Sequence, residues 1–136
     1  MVMCNFGEGL NSLSNEQTTL LSSEEIAKAV VAALEEKKGS QIVGIDMRSK
    51  LVITDYFIIV SGHSTIQVKA LSEAVEERLE ELGVRPLHKE GFGGGRWVLL
   101  DYGGVVVHVF HVDARDYYDL EQHWQDLPRV NFSALV

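Results

Sequence analysis

Two apolar runs on either side of Gly103-Gly104, from Trp97 to Tyr102 and from Val105 to Phe110, restrict the fold more than any other feature of this chain. A glycine pair can take the positive φ angles of a two-residue hairpin turn, so the runs are expected to pair as antiparallel strands. Such a turn also fixes the register. Tyr102 then faces Val105, Leu100 faces Val107 and Val98 faces Val109, and strand alternation puts all of them on one apolar face that belongs to a core. The opposite face sets Trp97 against Phe110, Leu99 against His108 and Asp101 against Val106. That mixture is too apolar for plain solvent and too polar for a deep core. Two explanations stand open: the face meets a partner, with Trp97 and Phe110 each able to bury roughly 150–250 Å², or a last helix folds back through Tyr117, Leu120 or Trp124 and covers it.

The remaining elements follow from period and punctuation. Met1 to Thr19 is rich in Ser, Asn, Gln and Gly without an apolar period and reads as a flexible lead-in. Ser22 with Glu25 forms a capping box, flanked by Leu21 and Ile26 as a hydrophobic staple. A helix follows to about Lys38, burying Ile26, Val30, Ala33 and Leu34, with Gly39 as its stop. Gln41 to Met47 and Leu51 to Ser61 are β-rich, and the second is so continuously apolar that it reads as a strand covered on both faces. Ser64, with Gln67 at the box position, opens a second helix carrying Val68, Leu71, Val75, Leu79 and Leu82, closed by Gly83. Leu87 to Glu90 is a candidate short strand, and the glycine-rich Gly91 to Gly95 is a loop that lacks the lysine and helix of a phosphate cradle. Asp116 is the expected cap of a last helix, and Pro128 helps end it. The expected organisation is a lead-in over 1–19, a single α/β domain over 20–126, built as a compact sandwich of one mixed β-sheet with packed helices, and a C-terminal tail over 127–136.

The residues Asp46, Thr54 to Gly62, Ser64, Gln67 to Ala70, Glu90-Gly91, Trp97 to Gly103, Val105 to Phe110, Arg115, Tyr117-Tyr118, Leu120-Glu121 and Trp124 resemble the pattern of the Iojap-like family, the bacterial ribosomal silencing factors. The chain departs from that pattern at Ile66, where Arg is common, and at Gly104, where Asp is common. The resemblance implies a core similar to nucleotidyltransferases. It also implies docking onto the large ribosomal subunit through a basic protein, number fourteen of that series, so that the bound factor sterically keeps the small subunit away and lowers translation. Trp97, Leu99, Asp101, Val106, His108 and Phe110 are the expected partner-binding residues. The same apolar face could pair with itself in a two-fold homodimer off the ribosome.

Charge and chemistry agree with a protein partner. A net charge of −8 disfavours binding driven by phosphate neutralisation and suits a basic partner. The acidic cluster Glu76, Glu77, Glu80 and Glu81 reads as a solvated helix face. A single cysteine, Cys4, precludes an internal disulfide, and no signal peptide or membrane span is evident, so a cytoplasmic protein is expected. No catalytic, metal or cofactor site is expected. Two-metal transfer needs convergent carboxylates, and Asp46, Asp55 and Asp101 are isolated. Ser61-Gly62-His63-Ser64 has no nucleophile elbow, and His108 and His111 point to opposite faces of a strand. The alternatives are a nucleotidyltransferase-like nucleotide-binding protein, which retained metal-dependent nucleotide affinity would reveal, and a dimeric adaptor without a ribosomal role.

Overall fold

The computed structural model describes residues 21–50 and 54–133. The lead-in and the start of the second β-run, Leu51 to Ile53, lie outside the described residues. Helix α1 spans Ser23–Glu36 and opens with the reciprocal capping box: Ser22 Oγ accepts from the Glu25 N–H at 3.1 Å, and the Glu25 carboxylate accepts from the Ser22 N–H at 2.9 Å. Its stop differs from expectation. Lys38, not Gly39, enters the left-handed region at φ 61°, while the Lys38 and Gly39 N–H groups bond back to Glu35 and Leu34. Gly39 is needed for a different reason, since a Cβ there would lie 2.6 Å from Val60 Cγ2.

Strand β1 (Ser40–Asp46) precedes β2 (Tyr56–Gly62), and α2 (Thr65–Glu81) crosses to β3 (His88–Glu90). Ser64 Oγ caps α2 by accepting from the Gln67 N–H at 3.0 Å, but the Gln67 side chain accepts from the His63 N–H rather than closing the box on Ser64. Val68, Leu71, Val75 and Leu79 are buried, whereas Leu82, at the helix C-cap, is 46% exposed and leaves the expected stripe. Gly83 ends the helix at φ 81°.

The hairpin has the expected register. Strands β4 (Trp97–Asp101) and β5 (Val105–His111) pair Val98 with Val109 and Leu100 with Val107. Only Gly103 takes a positive φ, 86°, so the turn uses one left-handed residue rather than two. The sheet is six-stranded in the order β3-β4-β5-β2-β1-β6, with β2 and β5 parallel and the other pairs antiparallel. One sheet face packs under α1 and α2, where Val98, Leu100, Tyr102, Val105, Val107 and Val109 are all buried.

The C-terminal part departs most from the sequence reading. Helix α3 (Val112–Tyr118) starts directly after β5, with the His111 ring accepting from the Asp113 N–H as its cap, so Asp116 falls inside the helix. Asp119 turns left-handed at φ 47°, and α4 (Leu120–His123) follows. Residues expected as a tail instead supply β6 (Arg129–Val130), which pairs with Gly44 and Ile45, and Phe132, whose ring meets Tyr56 edge-on at 5.1 Å. Gly44 allows this approach, because a Cβ would sit 2.6 Å from the Val130 carbonyl oxygen. A two-residue strand is too short to leave a period in the sequence. If these residues belong to the cooperative fold, Phe132→Ala lowers unfolding free energy by about 3 kcal/mol in urea titration; a loss below about 0.5 kcal/mol would return them to the status of a tail.

Candidate functional site

The second hairpin face is divided between core and surface. Phe110 is fully buried and His108 is 4% exposed, so neither offers its body to a partner. Phe110 joins Ile45, Met47, Ile59, Ala114 and Leu127 in a second core layer, with Leu120 and Trp124 laid against it. The expected Trp97–Phe110 surface pair is therefore corrected. The two rings contact each other at 4.8 Å, Tyr118 covers Trp97 at 4.9 Å, and Trp97 is half-buried. The covering helices prevail because they remove a large aromatic surface from water within the chain itself.

Arg115 holds that cover in place, a role that sequence reasoning missed. Its guanidinium is buried and makes four hydrogen bonds: Nε and Nη2 donate to the Glu121 carboxylate at 2.9 and 3.0 Å, and Nη1 donates to the Gln41 carbonyl at 2.7 Å and to Ser61 Oγ at 2.8 Å. The forked donor geometry ties α3 to α4, to β2 and to the bulged start of β1, where Gln41 itself is left-handed at φ 51°. The signal available in the sequence was an Arg six residues before a Glu, with Tyr117, Tyr118 and Leu120 between them.

Toward the hairpin turn the cover stops, and a groove of about 420 Å³ remains. Thr54, Phe57, Leu87, Leu99, Asp101, Gly103, Val106 and His108 line it. Of the expected site residues, Leu99, Asp101, Val106 and His108 thus come together, while Trp97 and Phe110 lie under the helical cover. Thr54, Phe57 and Leu87 were missed because they reach the groove from neighbouring strands and loops.

The strand acids are individually engaged. Asp46 accepts from Arg48 Nε and Nη2 at 3.0 and 2.7 Å, which holds its carboxyl below the usual range. Asp55 accepts from Ser23 Oγ at 2.6 Å, and Asp101 accepts from the Gly103 N–H at 2.8 Å. Gly104 leaves the space for the Ser23 hydroxyl, since a Cβ would fall 2.0 Å from it. In the Ser61 to Ser64 turn, Ser61 Oγ is held by Arg115 and the His63 ring pairs with Ser40 at 3.0 Å.

His108 has a defined proton arrangement. The Trp97 indole N–H, which can only donate, points at His108 Nδ1 at 3.2 Å, so the proton of the neutral ring resides on Nε2. Burial disfavours the imidazolium and pushes its pKa down to about 4.

Comparison with known proteins decides the family. The family model "Ribosomal silencing factor during starvation" matches residues 21–136. The chain belongs to the ribosomal silencing factor family. It is 39% identical to the ribosomal silencing factor RsfS of Halalkalibacterium halodurans, over 85% of this chain and 99% of that one. The crystal structure of a Chromobacterium violaceum protein, 41% identical, superposes with a TM-score of 0.75 over 77% of this chain and 88% of the other. A more distant relative, 31% identical over 70% of this chain and 43% of its own length, is the mouse protein "Mitochondrial assembly of ribosomal large subunit protein 1". The matched region of the silencing-factor family includes the segments expected as tail and cover, consistent with their place in the sheet and core.

The buried imidazole makes stability depend on pH. An unfolded histidine titrates near 6.5, whereas His108 in the fold stays neutral down to about 4. Between those values the unfolded chain binds a proton that the folded chain refuses. Stability is therefore full above the unfolded value and falls as pH drops toward 4, by on the order of 3 kcal/mol from this group. The urea midpoint should fall between pH 7 and 4.5 in the wild type and fall distinctly less in His108→Gln; equal slopes would assign the effect to other groups.

Proposed function

We propose that this chain binds the large ribosomal subunit through the groove beside the hairpin turn and sterically prevents the small subunit from joining, so that translation is repressed. The observation carrying this reading is the uncovered groove, an apolar depression left on a sheet face whose other end is covered by α3 and α4. Membership in a family named for ribosomal silencing supports the ribosome as target, and the name of the mouse relative supports the large subunit. The net charge of −8 and the carboxylate of Asp101 in the groove favour a basic ribosomal protein, the expected one being number fourteen of the large subunit.

A standard interface removes about 800 Å² from each partner. The groove alone is smaller than that, so its exposed rim takes part, above all Leu87, which is 77% exposed. Off the ribosome the same surface can pair with a second copy in the cytoplasm, making dimerisation and ribosome binding compete.

Leu99 is a cleaner probe than Trp97, because Trp97→Ala would also uncover Phe110. In co-sedimentation with separated subunits, the wild type is expected with the large subunit alone and reduces formation of joined ribosomes. Leu99→Asp should weaken binding at least about ten-fold, equivalent to 1.4 kcal/mol, with little change in thermal midpoint. Binding to the small subunit instead, or full affinity in folded Leu99→Asp, would count against this surface.

A further inference from the structure

Two buried polar atoms in the groove lack any partner among the described residues: Thr54 Oγ1 and His108 Nε2. Their residues are 4% exposed each and line the same depression. Water does not reach either atom, so each destabilises the free protein compared with a satisfied group. Tyr102 Oη and Trp124 Nε1 are also unpartnered, but neither residue lines the groove. The coincidence of two such atoms at one site therefore calls for an explanation specific to that site.

Their chemistry is directional. The contact with Trp97 Nε1 occupies His108 Nδ1, which leaves Nε2–H as a pure donor. The threonine hydroxyl rotates and can donate beside it. Around them Phe57, Leu99 and Val106 supply apolar walls, and the Asp101 carboxylate disfavours an incoming anion. A neutral acceptor attached to an apolar body matches this lining.

We propose that the groove takes an extended peptide segment of a basic protein partner, placing an apolar side chain against Leu99 and Val106 and a backbone carbonyl as acceptor for Thr54 Oγ1–H and His108 Nε2–H. The inference rests on the docking reading of this groove and names what enters it. A volume of about 420 Å³ accommodates a side chain together with its peptide unit. Leu87, which is 77% exposed, lines the same groove. Satisfying two donors already stripped of water contributes affinity without a new desolvation cost on this side of the interface, and it rejects any segment that presents no acceptor there.

Thr54→Val separates this role from a structural one, because it keeps the side-chain shape and removes only the unpaired hydroxyl. The expected signature is a urea midpoint equal to or above the wild type, together with affinity for large subunits reduced about ten-fold. His108→Phe provides a second variant that removes the ring donor. A second probe, N-acetyl-leucinamide at millimolar concentration, presents a leucine side chain between two amide carbonyls and should shift the His108 Nε2–H resonance in the wild type, less so in Thr54→Val. Folded Thr54→Val and His108→Phe with wild-type affinity for large subunits, or a His108 resonance unmoved by the leucinamide, would overturn the carbonyl assignment. Failure of the wild type to bind large subunits while the leucinamide still shifts that resonance would overturn the ribosomal reading and leave the groove chemistry supported.

Discussion

The parallel pairing of β2 with β5 is the constraint on which the rest of the molecule depends. It runs in unbroken register from Tyr56 opposite Val105 to Gly62 opposite His111. A parallel pair needs a crossover, and here that crossover contains α2, β3 and β4, so one pairing recruits a helix to one face and a hairpin to one edge. Because the two strands are central, both of their faces must be covered. Ile58, Val60, Val107 and Val109 pack toward α1 and α2, while Ile59 and Phe110 face the opposite layer. Replacing either strand's apolar alternation by a one-residue slip would exchange these sets and bring His108 beneath the helices.

Covering the second face required a different solution. Among the described residues only α3 and α4 lie there; both are short, and isolated helices of that length are not stable in water. Their order comes from tertiary contacts, chiefly the Arg115 fork to Glu121, Gln41 and Ser61 and the burial of Leu120 and Trp124. The guanidinium is nearly out of water while the Glu121 side chain stays 30% exposed, and burying a charge is costly unless it is paired and hydrogen-bonded. Here the guanidinium is engaged on both sides. The arrangement therefore contributes geometry more than raw stability: it specifies where the cover lies and where it ends.

The parts of this fold legible in the sequence are those encoded within one element. The hairpin register followed from a glycine pair and alternation, the α1 cap from Ser22 and Glu25, and the mixed sheet from the order of elements. The family was legible as well, through strings long enough to be specific. The misses arose where distant segments decide the outcome. Lys38 rather than Gly39 takes the left-handed position, a Cβ at Gly39 would strike Val60, and β6 pairs along the edge that β1 offers it. Phe110 and His108 were legible as residues of the second face, but their burial was not: the cap lies at His111 rather than Asp116, so α3 starts directly after β5 and its Ala114 packs with Phe110. The groove was only half legible for the same reason: Leu99, Asp101, Val106 and His108 share a hairpin face, whereas Thr54, Phe57 and Leu87 arrive from other elements.

The end of the cover also explains why an uncovered groove coexists with an economical core. Along β4 and β5 the second face changes from Trp97 and Phe110, closed by Tyr118 and Leu120, through Leu99 and His108, to Asp101 and Val106 beside the turn. Asp119 adopts a left-handed backbone that costs a non-glycine residue roughly 1–2 kcal/mol. A straight continuation of α3 would avoid that cost but would not turn Leu120 and Trp124 onto the second core layer. With the turn, the cover seals Phe110 and stops short of the hairpin end. His108 sits at this boundary, with one ring nitrogen satisfied by Trp97 under the cover and the other left unpaired at the groove. The same side chain thus couples the closed and open halves of the face: packing of Trp97 fixes its tautomer, and the tautomer fixes the groove as a donor of hydrogen bonds rather than an acceptor.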